Sequence, residues 1–201
     1  MLFRRAYLRH LRRRRVGMAY DMAKEIARYV PRDTRVLDVG CGSGYIAHHL
    51  SALLGTPVLG TDVGEGAEAP ITYRRFDGSA LPFGDGAFDV VLFCYVLHHA
   101  RDAQVLLAEA RRVLRPSGRL VIYEDTPRSL LDRLLCHRHE RNWLSRTGPC
   151  TFRRDSAWRE LFSATGLSLL VARSLSRLRD LTYPVARSLY VLSPDPARAG
   201  R

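Results

Sequence analysis

A glycine-rich loop that follows an apolar segment is the part of this chain best suited to chemistry. Asp38 lies two positions before the first of three closely spaced glycines, Gly40, Gly42 and Gly44, and a helix-forming segment follows them. The pattern predicts a strand, a tight turn and a helix. Glycines in such a turn let backbone amides approach a ligand closely. The loop is therefore a candidate binding site for a small polar ligand.

A second carboxylate follows the next apolar segment. Residues 57–61 predict a short strand that ends at Asp62, which is 18 residues after Gly44. In doubly wound α/β folds, an acid at the end of the second strand hydrogen-bonds ribose hydroxyls. Asp62 is therefore a candidate ribose ligand.

Two further motifs complete the pattern. An acid precedes Leu-Pro-Phe within residues 75–83, and Leu-Arg-Pro-Ser-Gly opens residues 114–122. With these motifs in order, the chain resembles the class I S-adenosylmethionine (SAM)-dependent methyltransferases. It is most similar to their small-molecule, type 11 group, whose C-methylating quinone enzymes carry similar D-x-x-x-L-P-F and L-R-P-x-G motifs. The resemblance covers roughly residues 20–193, and its motifs specify the fold and the cofactor rather than the substrate.

The resemblance implies SAM as the cofactor and suggests which residues contact it. The glycine loop would approach the methionine part of SAM, with Asp38 ordering the loop and the ligand amine, and Asp62 would bind the ribose. Asp77 matches the family acid that accepts a hydrogen bond from the adenine amino group. The residues expected to bind the cofactor are Asp38, Gly40, Gly42, Gly44, Asp62, Asp77, Gly78 and Cys94.

The acceptor side is predicted at the same edge of the sheet. His98 and His99 follow the fourth predicted strand, and Glu124 and Asp125 follow the fifth. Open α/β folds bind ligands at this edge, where a histidine or carboxylate can remove a proton from an acceptor atom. We predict catalytic roles for His98, His99 and Asp125, with a structural loop role as the alternative for each.

Two segments give this site its individual features. Residues 127–150 are predicted to form a lid or acceptor wall, to which His139 and Trp143 would contribute. Residues 63–70 are too short and glycine-rich for the helix that the family usually has after its ribose acid. The adenine side of the pocket is therefore expected to be more open, or to be covered by another segment.

Alternating strands and helices predict an α/β fold. We expect a Rossmann-like, doubly wound, mostly parallel seven-stranded sheet with an antiparallel last strand. The chain divides into a basic amphipathic arm (1–17), a methyltransferase domain (18–193) and a frayed tail (194–201). The predicted strands are 35–39, 57–61, 71–76, 88–93, 119–123, 167–173 and 187–192, and the predicted helices include 18–30, 45–54 and 102–114.

Composition limits the setting in which this chain works. Its 201 residues suit one domain, and no apolar run approaches the roughly 20 residues of a membrane span. Four cysteines without a disulfide pattern, and no evident signal peptide, predict a cytoplasmic protein. The spacing of Cys136, His137, His139 and Cys150 matches no common zinc pattern, so no metal site is predicted.

The net charge of +12 could indicate a nucleic acid or an anionic membrane as a partner, and the short segment 63–70 leaves a non-enzyme alternative open. The basic residues are arginines apart from Lys24, a skew that suggests codon bias more than phosphate binding. The arm could nevertheless lie peripherally on an anionic membrane. An RNA methyltransferase is disfavoured because no Asn-Pro-Pro-Tyr-type motif follows the fourth strand. A methyltransferase-like interaction protein without activity is the other alternative to an enzyme that uses a small, perhaps hydrophobic, acceptor; the sequence leaves the oligomeric state undetermined.

Overall fold

The computed structural model describes residues 2–196, without the side chains of residues 2–11, 146 and 178. The strands are β1 (Val36–Val39), β2 (Val58–Asp62), β3 (Thr72–Arg75), β4 (Phe88–Cys94), β5 (Leu114–Asp125), β6 (Leu167–Leu175) and β7 (Arg187–Pro194). The helices are α1 (Leu2–Ile26), α2 (Tyr45–Leu54), α3 (Ala103–Val113), α4 (Leu130–Thr147) and α5 (Asp155–Ala164), with a 3₁₀ turn at Arg177–Arg179.

The strands form one sheet in the order β3-β2-β1-β4-β5-β7-β6. Neighbours from β3 to β5 are parallel, whereas β7 pairs antiparallel with both β5 and β6. This confirms the predicted fold. The chain order reverses between β1 and β4, and ligands of open α/β sheets bind at such a switch point, beyond the carboxyl ends of the strands.

Helices cover both faces of the sheet. Helices α1 and α2 pack on one face, against a cluster that includes Val36 and Val90, and α3 and α5 pack on the other, against Leu37 and Val39. Successive strand residues point to opposite faces, so Asp38 lies on the α1–α2 face between two apolar neighbours. This alternation buries a carboxylate directly before the glycine loop.

Helix α1 differs from its predicted form. It runs without interruption across the boundary predicted at residue 17, because Gly17 has open space around it and no proline or capping residue stops the helix there. It ends at Ile26, and residues 27–29 form a tightened turn before Pro31. The role of the predicted arm stays a prediction, and residues 197–201 of the predicted tail lie outside the described part of the chain.

Strand β5 begins earlier than predicted. Leu114 already pairs with Phe88, and a register shift follows before Val90 pairs with Arg119. Residues 115–118 therefore lie at an irregularity within the strand. A Cβ on Gly118 would lie 2.9 Å from the carbonyl oxygen of Arg115 and 3.0 Å from that of Asp89, so this close backbone approach needs glycine.

The short segment after β2 folds back over the glycine loop. None of the described residues between Asp62 and Thr72 is helical, as its length and glycine content predict. The backbone amides of Glu68 and Ala69 donate to the carbonyl oxygen of Ser43 at 3.1 and 3.0 Å. A segment too short for a helix thus braces the loop.

Helix α4 forms within the segment predicted as a lid or acceptor wall, and several of its leucines are exposed. Leu130 and Leu134 are 76% and 68% exposed, whereas Asp132 is fully buried. Asp132 completes a capping box with Ser129 and also pairs with Arg177. These polar contacts hold the Asp132 side of the helix against the rest of the domain.

Candidate functional site

The two predicted halves of the site open into one cavity. Its volume is about 1370 Å³, and it lies at the carboxyl ends of β1, β2, β4 and β5. The predicted site residues in its wall are Gly40, Gly42, Asp62, Asp77, Gly78, His98, His99 and Asp125. Among the other predicted site residues, Asp38 is buried beneath the glycine loop. A cofactor and an acceptor could therefore meet in this one space.

Gly40 and Gly42 differ in what a side chain at each position would contact. Gly40 has φ +70°, and a Cβ there would lie 2.5 Å from a methyl group of Val96, so only glycine fits. Gly42 has φ +52°, yet a Cβ there would meet no atom within 4 Å. The surface of the loop at Gly42 is therefore open to the cavity, and a side chain at this position would occupy space that a ligand could use.

Asp38 is a buried carboxylate without a partner. Its side chain is 1% exposed, and neither oxygen has a hydrogen-bond partner among the described residues. Burial, together with the nearby charge of Asp62, raises the pKa of Asp38 to about 7. A buried polar group of this kind needs a partner. The ammonium group of a bound SAM molecule would supply that partner. The open space over Gly42 leaves room for the ligand to approach.

The raised pKa of Asp38 predicts an unusual pH dependence for the ligand-free chain. Its folded pKa of about 7 exceeds the usual value near 3.9 in an unfolded chain, so the folded state binds the proton more tightly. Between about pH 4 and pH 7, this group should therefore lower the free energy of unfolding by up to about 1.4 kcal/mol per unit of rising pH. Denaturant titrations across this range, with Asp38→Asn as the comparison, test this expectation. A parent and a variant with parallel pH profiles would contradict it.

Asp62 and Asp77 are held by backbone amides. Asp62 accepts a hydrogen bond from Gly42 at 2.8 Å and one from Gly64 at 3.2 Å, so it links β2 to the glycine loop. Asp77 accepts from the amides of Ser79 and Ala80 at 2.8 and 2.9 Å. These bonds lower the pKa of Asp77 and keep it ionised in the cavity wall.

Gly44 and Cys94 have packing contacts. A Cβ on Gly44 would lie 2.9 Å from both Ala67 and Ile71, so this glycine lets the segment after β2 pack closely. Cys94 ends β4 beside Tyr123, and burial raises the pKa of its thiol, which makes it unreactive. Their predicted cofactor contacts stay predictions.

On the acceptor side, Glu124 organises the turn after β4. One of its oxygens accepts from the amides of Val96 and Leu97 at 3.1 and 2.7 Å, and the other lies 2.6 Å from Nδ1 of His98. Burial opposes protonation of His98, but the charge and hydrogen bond of Glu124 outweigh it, so the pKa of His98 is raised. The ring also stacks on Phe152 at 4.7 Å. His98 is therefore fixed in one orientation.

The structure brings a ring nitrogen of His99 close to a ring nitrogen of His139. Their Nε2 atoms are 3.2 Å apart, although the two residues are 40 positions apart in the chain. Nδ1 of His99 lies 3.0 Å from the Thr147 hydroxyl and 3.2 Å from the Cys150 sulfur. Burial, followed by the nearby charge of His98, lowers the pKa of His99 to about 3 and that of His139 to about 4. Both rings are therefore neutral at pH 7.

Helix α4 supplies part of the cavity wall, at the place where the sequence predicts a lid. His139 and Trp143 both line the cavity, and their rings are nearly parallel, with centroids 5.9 Å apart. His137, two residues from His139, is exposed and lies near Glu140. The Cys136 sulfur lies 3.6 Å from the hydroxyl of Tyr183.

Asp125 and Arg187 form a buried ion pair that sequence reasoning missed. Asp125 is 2% exposed and Arg187 is 6% exposed, and their charged atoms are 3.1 Å apart. The guanidinium lies between the rings of Tyr95 and Tyr183, at 5.6 and 5.4 Å. Arg187 lies on β7, 62 positions along the chain from Asp125. No motif in the sequence around Arg187 predicts this ion pair.

Tyr95 carries a backbone signal that sequence cannot show. Its φ of +61° lies in the left-handed region, which a bulky residue seldom adopts. Its amide donates to the carbonyl oxygen of Tyr123 at 2.9 Å. Strain of this kind is concentrated at functional sites, where the surrounding structure holds it in place.

Comparison with known proteins identifies the family. Residues 37–122 match the family model described as a methyltransferase domain. This match, together with the curated relatives and the structural neighbours, supports a class I SAM-dependent methyltransferase. It is 33% identical over 128 residues to the demethylmenaquinone methyltransferase of Thermus thermophilus, a match that covers 58% of this chain and 54% of that protein. It is 34% identical over 111 residues to methyltransferase GfsG of Streptomyces halstedii, which covers 49% of this chain and 40% of that protein.

Solved structures agree on the fold of this methyltransferase family member. A SAM-dependent methyltransferase from Thermotoga maritima superposes with a TM-score of 0.70 at 18% identity, covering 95% of both chains. The match to the methyltransferase domain and the structural neighbours imply SAM as the cofactor. The chain spans about half the length of the curated relatives it matches. Among residues 2–196, no helix combines the length and hydropathy that crossing a membrane requires.

Proposed function

We propose that this methyltransferase family member transfers a methyl group from SAM to a small acceptor molecule. The observation that carries the proposal is the unpartnered, buried carboxylate of Asp38 beneath an open glycine loop. The wall of the adjoining cavity also contains the buried imidazole of His98. A buried charge without a partner destabilises the chain. A protein that kept the fold but no longer bound a cofactor would gain nothing from such a charge.

The cofactor half would hold SAM through the predicted residues. SAM supplies an electrophilic methyl group when it is bound. Asp38 would pair with the ligand ammonium, Asp62 would accept hydrogen bonds from the ribose, and Asp77 would accept one from the adenine amino group. The amides of the glycine loop would approach the methionine part. The protein thus contributes mainly by positioning the two reactants and excluding water.

The acceptor half supports a small and partly aromatic acceptor. Tyr95, Trp143 and Tyr183 add ring surfaces to the cavity wall. We propose that His98 and His99 face the reacting atom of the acceptor, and that Asp125 acts by holding Arg187 in place. The similarity to a demethylmenaquinone methyltransferase supports an acceptor of the quinone type.

The lid, domain and localisation predictions belong to the same proposal. Residues 18–193 would form the methyltransferase domain, and residues 127–150 would cover the acceptor. Peripheral contact of residues 1–16 with an anionic membrane, in a cytoplasmic protein, would bring it to a hydrophobic acceptor. Liposome binding that is unchanged after deletion of these residues would contradict this membrane role.

Calorimetric titration with SAM and S-adenosylhomocysteine tests the cofactor half. We expect micromolar binding by the parent chain. Asp62→Ala should weaken it at least tenfold, because the variant loses both the ribose acceptor and the carboxylate that holds the Gly42 amide. Glu65→Ala is the matched control, since Glu65 is exposed in the next segment and pairs only with Arg75 among the described contacts.

Two outcomes would redirect the proposal. Absence of binding at millimolar SAM would favour the interaction protein without activity, and a stable partner would then be sought. RNA binding with a steep salt dependence would favour the RNA methyltransferase. Micromolar SAM binding that Asp62→Ala leaves unchanged would overturn the site assignment but not the family.

A further inference from the structure

Three imidazoles from two separate segments converge at the acceptor end of the cavity. His98 and His99 come from the turn after β4, and His139 comes from α4. One ring nitrogen from each lies within 4.8 Å of the other two. We propose that these three histidines bind a divalent transition-metal ion of the zinc type. The linear spacing gave no sign of this site because the fold joins residues 40 positions apart.

The strongest evidence is the unsatisfied nitrogen of His98. This side chain is 1% exposed, and its Nε2 has no hydrogen-bond partner among the described residues. Glu124 occupies Nδ1 of the same ring, so Nε2 is the nitrogen left for a ligand. Native proteins seldom leave such a buried polar atom without a partner. A cation between the three rings would supply that partner.

The observed distances are close to those of a tetrahedral site. Zinc–nitrogen bonds of about 2.0–2.1 Å place two nitrogen ligands about 3.4 Å apart. The Nε2 atoms of His99 and His139 are already 3.2 Å apart. The ligand nitrogens of the three histidines lie within 4.8 Å of one another. Side-chain movements of about 1 Å would bring them to the separation of a tetrahedral zinc site.

Outer contacts hold two of the rings in the orientation that a metal needs. Glu124 holds Nδ1 of His98 at 2.6 Å, the carboxylate–histidine arrangement that fixes a ligating ring. The Thr147 hydroxyl and the Cys150 sulfur both approach Nδ1 of His99, on the far side of the ring from Nε2. His99 is thereby also left with Nε2 directed at the common centre.

The local charges also suit a cation. Imidazole nitrogens are common ligands of divalent transition metals, and the Nε2 atoms of His99 and His139 lie 3.2 Å apart. Glu124 contributes a buried negative charge beside His98. Arg187, which also lines the cavity, is compensated by Asp125 at 3.1 Å and by Asp180 at 3.7 Å.

Three protein ligands leave one tetrahedral position for a water molecule or an oxygen atom of the acceptor. The ion would then orient a hydroxyl or carbonyl group of the acceptor and favour its ionised form. This use of the ion rests on the proposed function, whereas binding of the ion does not. The site therefore selects acceptors that carry an oxygen ligand next to the methylated atom.

Cobalt(II) titration of the untagged, chelator-treated chain tests the site directly. We expect one ion per chain, with the intense visible absorption of tetrahedral cobalt and its loss when zinc is added. His139→Gln should weaken cobalt binding at least 100-fold. His137→Gln is the matched control, because it lies on the same helix but is exposed and directed elsewhere. Thr147→Val should weaken binding roughly tenfold through the orientation of His99.

No saturable cobalt or zinc binding at millimolar metal would overturn the inference, as would binding that His139→Gln leaves unchanged. Circular dichroism of each variant separates a lost ligand from a lost fold, and His99→Gln provides a second ligand deletion. SAM titration of the same preparations separates the two proposals. Metal binding without SAM binding would contradict the proposed function alone, and the converse would contradict the metal site alone.

Discussion

Asp38→Asn is expected to weaken SAM binding roughly 100-fold and yet to leave the ligand-free chain more stable at about pH 8. Asparagine keeps the size of the side chain but cannot pair with the ligand ammonium. Loss of a buried, charged hydrogen-bond partner costs about 3 kcal/mol, or roughly 100-fold in affinity. The same change removes a buried charge that has no partner in the free chain. Calorimetry measures the first effect and denaturant unfolding the second.

Asp33→Asn is the control for this experiment. Asp33 is exposed, and its φ of +57° is one that asparagine tolerates. It should change neither property. Asp38→Asn binding SAM within threefold of the parent would refute the assigned role, and a loss of both binding and stability would point to a structural one.

The pH dependence of SAM affinity provides a second readout of Asp38. The ligand ammonium binds the ionised carboxylate, whose pKa in the free chain is about 7. Below that pH, binding must first remove the proton, so the dissociation constant should rise up to tenfold for each unit of falling pH. A dissociation constant that stays flat between about pH 5 and pH 7 would contradict this.

Arg187→Met is expected to lower the free energy of unfolding by about 3–5 kcal/mol. The substitution leaves the carboxylate of Asp125 buried without its guanidinium, and it removes a group packed between two tyrosine rings. Adding Asp125→Asn should recover a large part of the loss, because the second change removes the unpaired charge. Urea unfolding of the two single variants and the double variant measures the coupling between the two sites.

Arg159→Met is the matched control, since it breaks an exposed ion pair with Asp155 within one helix. Such a pair contributes less than about 1 kcal/mol. A loss for Arg187→Met no greater than that of Arg159→Met would show that the buried pair does not stabilise the fold. Additive losses in the double variant would show that the two residues act separately.

The sheet could be predicted because its signals are local. Strands β1 and β4 are buried on both faces and therefore appear as short apolar runs, and the alternation of strands and helices specifies the parallel order. The predicted start of β5 was wrong because its pairing with β4 is irregular. Leu114 pairs with Phe88 through a register shift that a propensity pattern does not encode. The orientation of α4 depends on the contacts of Asp132 with Arg177, which lies far along the chain.

The sequence by itself determined the sheet, and it indicated the resemblance to methyltransferases and the edge at which we expect ligands to bind. Those features depend on short motifs, such as Asp38 followed by its glycines, whose spacing is fixed by a strand and a turn. The tertiary structure alone decided which side chains meet there. The approach of His139 to His98 and His99, and of Arg187 to Asp125, joins distant segments through packing of α4 and β7. No local spacing records such contacts, because the fold as a whole sets them.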